Sequence, residues 1–352
     1  MTYVRRSSRA VGILLGAVLT AGSIVAGTPA SAEHLAGEAS ALPTAVVSLG
    51  DNGISGEGAG GYEPGTNGEN GNWCHRSVHA MVHKTTLAAK TVNLACSGAK
   101  SAHVGFGGPV HNTEGSQAER LTTVARQYRV TTVIVRVGSN DDPQFSGTVA
   151  ACIGAYLYPE RPDCSSFLRT EWPTRLAAMA PKVKAALVDV RTAMSNAGYG
   201  SSSYKLVLTS YASPITERMD AASQQAGCPF RLTDARWART EAVPQLNAAL
   251  RSVASQVGAR FLDLSRATEN REACSRGSNP AAEWQTRITV DPWRMVNGQL
   301  TPEEKVRAGE SFHLNATAHA QVGRCMTEFV QSNASYATCL ERSDGNLHAV
   351  LS

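Results

Sequence analysis

Five short apolar runs rich in β-branched residues recur along the chain: Ala45–Ser48, Thr91–Ala95, Thr131–Val137, Lys205–Ser210 and Arg260–Leu264. Between them, Gln117–Tyr128, Thr174–Ala197 and Asp234–Val257 carry apolar residues at helical spacing, and a last helix is expected from Asn315 to Gln331. This alternation predicts a mostly parallel sheet with helices on both faces, a three-layer α/β/α domain. Ligands of such sheets bind beyond the carboxyl ends of the strands. That rule selects Gly50-Asp51-Asn52, Cys96-Ser97-Gly98-Ala99 and Gly138-Ser139-Asn140-Asp141, each following a strand. Glu310-Ser311-Phe312-His313, in the loop before the last helix, is placed to close over the same edge.

The N-terminus follows a different pattern. Arg5, Arg6 and Arg9 precede an apolar stretch from Val11 to Ala26, and Ala30-Ser31-Ala32 offers small residues for cleavage. This predicts an export signal over residues 1–32, too short in its apolar part for a membrane anchor. Residues 33–43 read as a flexible leader and 44–352 as one domain, since no low-complexity linker or repeat divides the chain.

Composition narrows the partners. Of 33 basic and 29 acidic residues, the signal holds three arginines and no acid, so the exported chain has one more base than acid. No dense basic stripe remains, which argues against nucleic acid and against electrostatic adhesion to membranes. A monomer is expected. Eight cysteines in an exported chain read as disulfides, and the absence of a CxxC pair weakens a zinc site. Sequence leaves the connectivity open. Pairing neighbours along the chain (74–96, 152–164, 228–274, 325–339) is the simplest solution, each loop contributing roughly 3–4 kcal/mol.

The blocks Gly50-Asp51-Asn52, Gly98, Gly138-Ser139-Asn140-Asp141 and Glu310-Ser311-Phe312-His313-Leu314-Asn315 occur in the order of the SGNH (GDSL-type) hydrolases. With Ser55-Gly56-Glu57-Gly58, Trp73-Cys74-His75-Arg76-Ser77, Ser116-Gln117 and Ser210-Tyr211, the chain resembles the secreted actinobacterial esterase/lipase branch over residues 45–330. The resemblance implies a flavodoxin-like SGNH fold, an ester ligand of small-molecule, lipid or glycan type, and no cofactor or metal. It implies His313 as the base, and the Asn52 and Gly98 backbones with the Asn140 side chain as oxyanion donors. Glu310, by its side chain or its carbonyl, is implied to orient His313.

Three positions depart from that pattern. Ser139 stands where a glycine is usual and Glu310 where aspartate is common; both are mild changes. Asn52 stands where the nucleophilic serine belongs, and a carboxamide has no ionisable hydroxyl to form an acyl-enzyme. Ser55, Ser97 and Ser139 read as turn residues rather than substitute nucleophiles. Three classes of function follow: an ester hydrolase in which His313 acts on a water held by Asn52; a non-hydrolytic acid/base enzyme catalysing elimination, isomerisation or cyclisation; and a ligand-binding pseudoenzyme.

Other features have plainer readings. His75, His79 and His83, at i, i+4 spacing, read as a partly solvated helix face rather than a metal site. Gly56, Gly58, Gly60 and Gly61 lack the residues that complete a phosphate loop. Asp141 is expected to support the oxyanion turn. Trp284 and Trp293 are candidates for an apolar rim, with core packing as the alternative.

Overall fold

The computed structural model describes residues 42–351, and Leu42–Ser352 form one compact unit. The export signal and most of the leader lie outside the described residues.

Seven strands form one sheet: β1 Thr44–Gly50, β2 Lys90–Asn93, β3 Arg129–Arg136, β4 Lys205–Thr209, β5 Arg260–Asp263, β6 Tyr336–Glu341 and β7 Leu347–Leu351. Their order is β2-β1-β3-β4-β5-β6-β7, parallel throughout except for the β6–β7 pair. The first five strands follow the flavodoxin-like order, whose reversal point lies between β1 and β3. The sequence pattern anticipates β1 to β5. It does not anticipate β6 and β7, which extend the sheet past the last helix.

Alternate residues of the central strands face opposite cores, as the strand period of two requires. Val47, Leu49, Val133, Val135, Leu206 and Leu208 pack on one side, while Val46, Ile134, Val207 and Leu262 pack on the other. The first side is covered by α1 Gln117–Gln127, α2 Phe145–Leu157, α3 Cys164–Asn196 and α4 Val243–Gln256, which continues helical turns begun at Leu232. The second is covered by α5 Ala316–Gln331 through Val322, Met326 and Phe329. Burial on both faces explains why the central strands read as continuous apolar runs. The long helix α3 begins at Cys164, ten residues before its expected start, and carries Pro173 in its interior.

All four neighbouring cysteine pairs are bonded, as the simplest connectivity expected, and no described cysteine is free. Among the described residues no helix is long and apolar enough to cross a membrane.

Candidate active site

Gly50 ends β1 under tight constraint. Its φ is +132°, and a Cβ there would lie 1.7 Å from the Arg136 carbonyl oxygen of the adjacent strand, so only glycine fits. Gln117, at the start of α1, brackets it: Gly50 N–H donates to Gln117 Oε1 at 2.7 Å and Gln117 Nε2 donates to the Gly50 carbonyl at 2.9 Å. Asp51 then caps a short helical turn, Asn52–Ser55, by accepting the Gly53 N–H at 2.9 Å.

The Asp51 carboxylate is fully buried. It also accepts from Tyr211 Oη at 2.5 Å and Ser139 Oγ at 3.0 Å. Burial pushes its pKa up to about 6, although Tyr211, the Arg136 charge, Gly53 N–H and Ser139 pull the other way. Ser139 and Tyr211 thus tie the ends of β3 and β4 to the end of β1.

Asn52, 8% exposed, sits at the centre. Its Nδ2 donates to His313 Nε2, a residue 261 positions away, and its Oδ1 accepts from Asn140 Nδ2 at 2.8 Å. The chemistry fixes the orientation of every group. His313 Nδ1 lies 3.1 Å from the Ser311 carbonyl, which can only accept, so Nδ1 carries the proton and Nε2 presents a lone pair. Asn52 must offer its N–H to that lone pair, which leaves its oxygen for Asn140. Asn140 spends its second N–H on the Ala99 carbonyl at 3.1 Å. The neutral form of His313 is favoured chiefly by burial, which lowers its pKa against the opposing Glu57 charge.

The Ser311 carbonyl accepts from the ring, and the Glu310 carbonyl accepts from the His313 backbone N–H at 3.3 Å and from Thr286 Oγ1. The Glu310 carboxylate is turned away to Tyr62, accepting from its Oη at 2.8 Å. The His313 loop is held by chain pairing with the Trp284–Thr286 segment, where Phe312 N–H donates to Thr286 at 2.9 Å and Asn315 N–H to Trp284 at 3.0 Å. Phe312 adopts φ +64°, a left-handed conformation rarely taken by a bulky residue, directly before the histidine.

The Gly98 turn reaches the same edge. Neither Gly98 N–H nor Asn52 N–H has a hydrogen-bond partner among the described residues. Asp141 joins this turn to that of Asn140 by accepting from Ser101 N–H at 3.1 Å and Ser101 Oγ at 2.7 Å. On the other side, Glu57 accepts from Ser97 Oγ at 2.5 Å and from His75 Nδ1 at 2.8 Å, while the Cys74–Cys96 disulfide binds the two segments covalently.

His75 is therefore a buried support, and the three histidines share no helix face as had been expected. His75 has φ +44° outside any helix, and His83 lies in the short turn Met81–Lys84, bonded to Thr91 Oγ1 at 2.7 Å. Ser55 keeps its expected role in the turn, its hydroxyl 3.3 Å from the Asn52 carbonyl.

An apolar cavity of about 120 Å³ opens from Asn52 and His313 towards Phe145, Trp172, Trp237 and Leu246. Its walls come from α2, α3 and α4. Neither Trp284, which is buried, nor Trp293, which is exposed beside Tyr158, belongs to it. The sequence reading did not single out Trp172 or Trp237; Trp172 lies before the expected start of its helix.

Comparison with known proteins agrees with this architecture. The structure is similar to phospholipase A1 from Streptomyces albidoflavus NA297, with a TM-score of 0.54 and 18% identity over 80% of this chain and 95% of that one. It is also similar to an extracellular lipase from Streptomyces rimosus, with a TM-score of 0.50 and 20% identity over 78% of this chain and 94% of that one. No curated protein matches the chain in sequence. Residues 48–321 match the family model described as GDSL-like Lipase/Acylhydrolase, and they span the Gly50, Gly98, Asn140 and His313 segments. The chain belongs to this family of GDSL-like (SGNH) esterases and lipases.

Proposed function

We propose that the protein is a secreted carboxylic-ester hydrolase of SGNH descent in which Asn52 holds the nucleophile's position and His313 activates a water. An ester carbonyl replaces Asn52 Oδ1 on Asn140 Nδ2, with the Asn52 and Gly98 N–H groups as further oxyanion donors. The displaced carboxamide holds water against the His313 Nε2 lone pair. Ser311 keeps the ring in the tautomer that can accept a proton, as a third group does in hydrolase triads.

The carrying observation is that the Asn52 carboxamide bridges His313 Nε2 and Asn140 Nδ2, the two side chains that ester hydrolysis needs to be near the same carbonyl. The adjoining apolar cavity supports an acyl group as the part of the ester it takes. The export-type N-terminus and four disulfides support secretion.

A second reading, binding without turnover, is favoured by the saturation of both groups: Asn52 occupies the base's lone pair and one of the two Asn140 donor hydrogens. Hydrolysis of p-nitrophenyl esters by the freshly purified protein decides between them. Turnover that disappears with His313→Ala supports the hydrolase. Ligand binding with no turnover supports the second reading.

A further inference from the structure

The geometry points to Asn52 itself as a substrate of this site: we infer that its carboxamide is hydrolysed in place to a carboxylate, giving the chain an aspartate at position 52. The inference rests on the proposed roles of His313 and Asn140. Asn52 is held as an amide substrate of such a site would be held. Its carbonyl oxygen accepts from Asn140 Nδ2 at 2.8 Å, where charge develops during attack on Cγ. Its nitrogen, the leaving atom, is bonded to His313 Nε2. The cavity lined by Asn52 and His313 has room for the attacking water.

In this step the water oxygen bonds to Asn52 Cγ as the Cγ–Nδ2 bond breaks. The Asn52 N–H first releases the His313 Nε2 lone pair, which then takes one water proton and hands it to the departing nitrogen, forming ammonia. The carboxyl proton follows, and ammonium leaves. Nothing is oxidised or reduced, and water is the only co-reactant. In the product, one carboxylate oxygen keeps the Asn140 N–H, and the other accepts from His313 once the ring takes a proton from solvent, a charge-assisted pair that the amide cannot make. The new carboxylate belongs to the class of side chains that can form covalent intermediates.

Asn-Gly sequences have a second route to the same loss of ammonia, in which the glycine nitrogen attacks Cγ to form a ring that opens to aspartate and isoaspartate. Here Gly53 N–H is donated to Asp51 Oδ1 at 2.9 Å, and the Gly53 carbonyl accepts from Arg136 Nη1 at 2.5 Å. Cyclisation requires the backbone to rotate out of both bonds. Direct hydrolysis leaves them intact and yields aspartate alone.

The test is to incubate the purified full-length protein in heavy-oxygen water at neutral pH and to follow the peptide containing residue 52 by mass spectrometry, with an isoaspartate assay alongside. The expected result is aspartate at 52 carrying one heavy oxygen, no isoaspartate, and conversion slowed about 100-fold by Asn140→Ala and also slowed by His313→Gln. Thermal melting confirms that the variants are folded. Wild-type chain that keeps its amide overturns the inference whatever the variants do. Isoaspartate in the product, or conversion at the wild-type rate in folded variants, also overturns it by assigning the change to cyclisation. Ester turnover by a chain that keeps its amide removes this inference alone. Conversion to an aspartate form that turns over no ester removes the hydrolase reading alone.

Discussion

Asn140 Nδ2 lies 2.8 Å from Asn52 Oδ1, so the amide that would bind a substrate's developing charge is already bonded to a carbonyl supplied by the chain. Asn52 answers the hydrogen-bonding needs of the site from within. Any replacement of it changes the availability of both Asn140 and His313.

Asn52→Ser frees both groups and supplies a hydroxyl beside His313. It is expected to increase p-nitrophenyl ester turnover and to make residue 52 react with a fluorophosphonate probe, which the freshly purified wild-type chain does not. Peptide mapping that places wild-type label on Ser55, Ser97 or Ser139 identifies a different nucleophile.

In the Asn52→Ser protein, Asn140→Ala is expected to lower kcat about 100-fold or more, with a smaller effect on KM, because the donor acts mainly on charge that develops in the transition state. A melting curve distinguishes this loss from a folding defect.

The hydrolytic rate is expected to fall with pH through the titration of His313, since only the neutral ring accepts a proton. Burial lowers the folded value, so the midpoint should lie below that of an ordinary histidine. A rate profile whose acid limb lies above 6.5, the ordinary histidine value, would contradict the assignment.

Stability is expected to carry an acid limb from His319, which is fully buried in α5 and accepts the Met81 N–H at Nδ1, 3.1 Å away. Burial pushes its pKa down to about 3 from 6.5. The unfolded chain therefore binds more protons between these values, and stability is lost as pH falls through that window. Asp51 opposes this slope between 3.8 and about 6, because its raised value makes the folded chain the stronger proton binder there. Denaturant titrations at several pH values should show a shallower acid loss in a His319→Gln protein.

Opening the Cys74–Cys96 bridge by a double Cys→Ser change is expected to cost roughly 3 kcal/mol and to weaken ester turnover by loosening the Gly98 turn. Ser97 N–H, next to that turn, donates to the Cys74 carbonyl at 3.0 Å. Urea unfolding measures the first effect, and kcat at temperatures where the variant remains folded measures the second.

Local chemistry made much of the architecture legible. β1 to β5 are apolar runs because both faces of the sheet are covered, and the turns after β1 and β3 announce themselves through glycines that close packing demands, of Gly50 against the Arg136 carbonyl and of Gly138 against Met179 and Val183 of α3. Pairing neighbouring cysteines was the simplest reading of a connectivity that the sequence left open. By contrast, Tyr336–Glu341 forms a strand by pairing with β5, far away in sequence, and Leu347–Leu351 by pairing with it in turn. The distant β5 partner leaves little local trace, whereas the β6–β7 pair is a local hairpin that the apolar runs alone did not reveal.

The sequence by itself determined which segments gather at the sheet's carboxyl edge and that Asn52 lacks a hydroxyl. Only the tertiary structure decided that Asn52 bridges His313 and Asn140, that the Ser311 carbonyl accepts from the His313 ring, and that Trp172 and Trp237 wall the cavity. The reason is physical. Hydrophobic period and turn chemistry act over a few neighbouring residues, whereas a hydrogen bond between groups 261 positions apart depends on how the whole chain is packed.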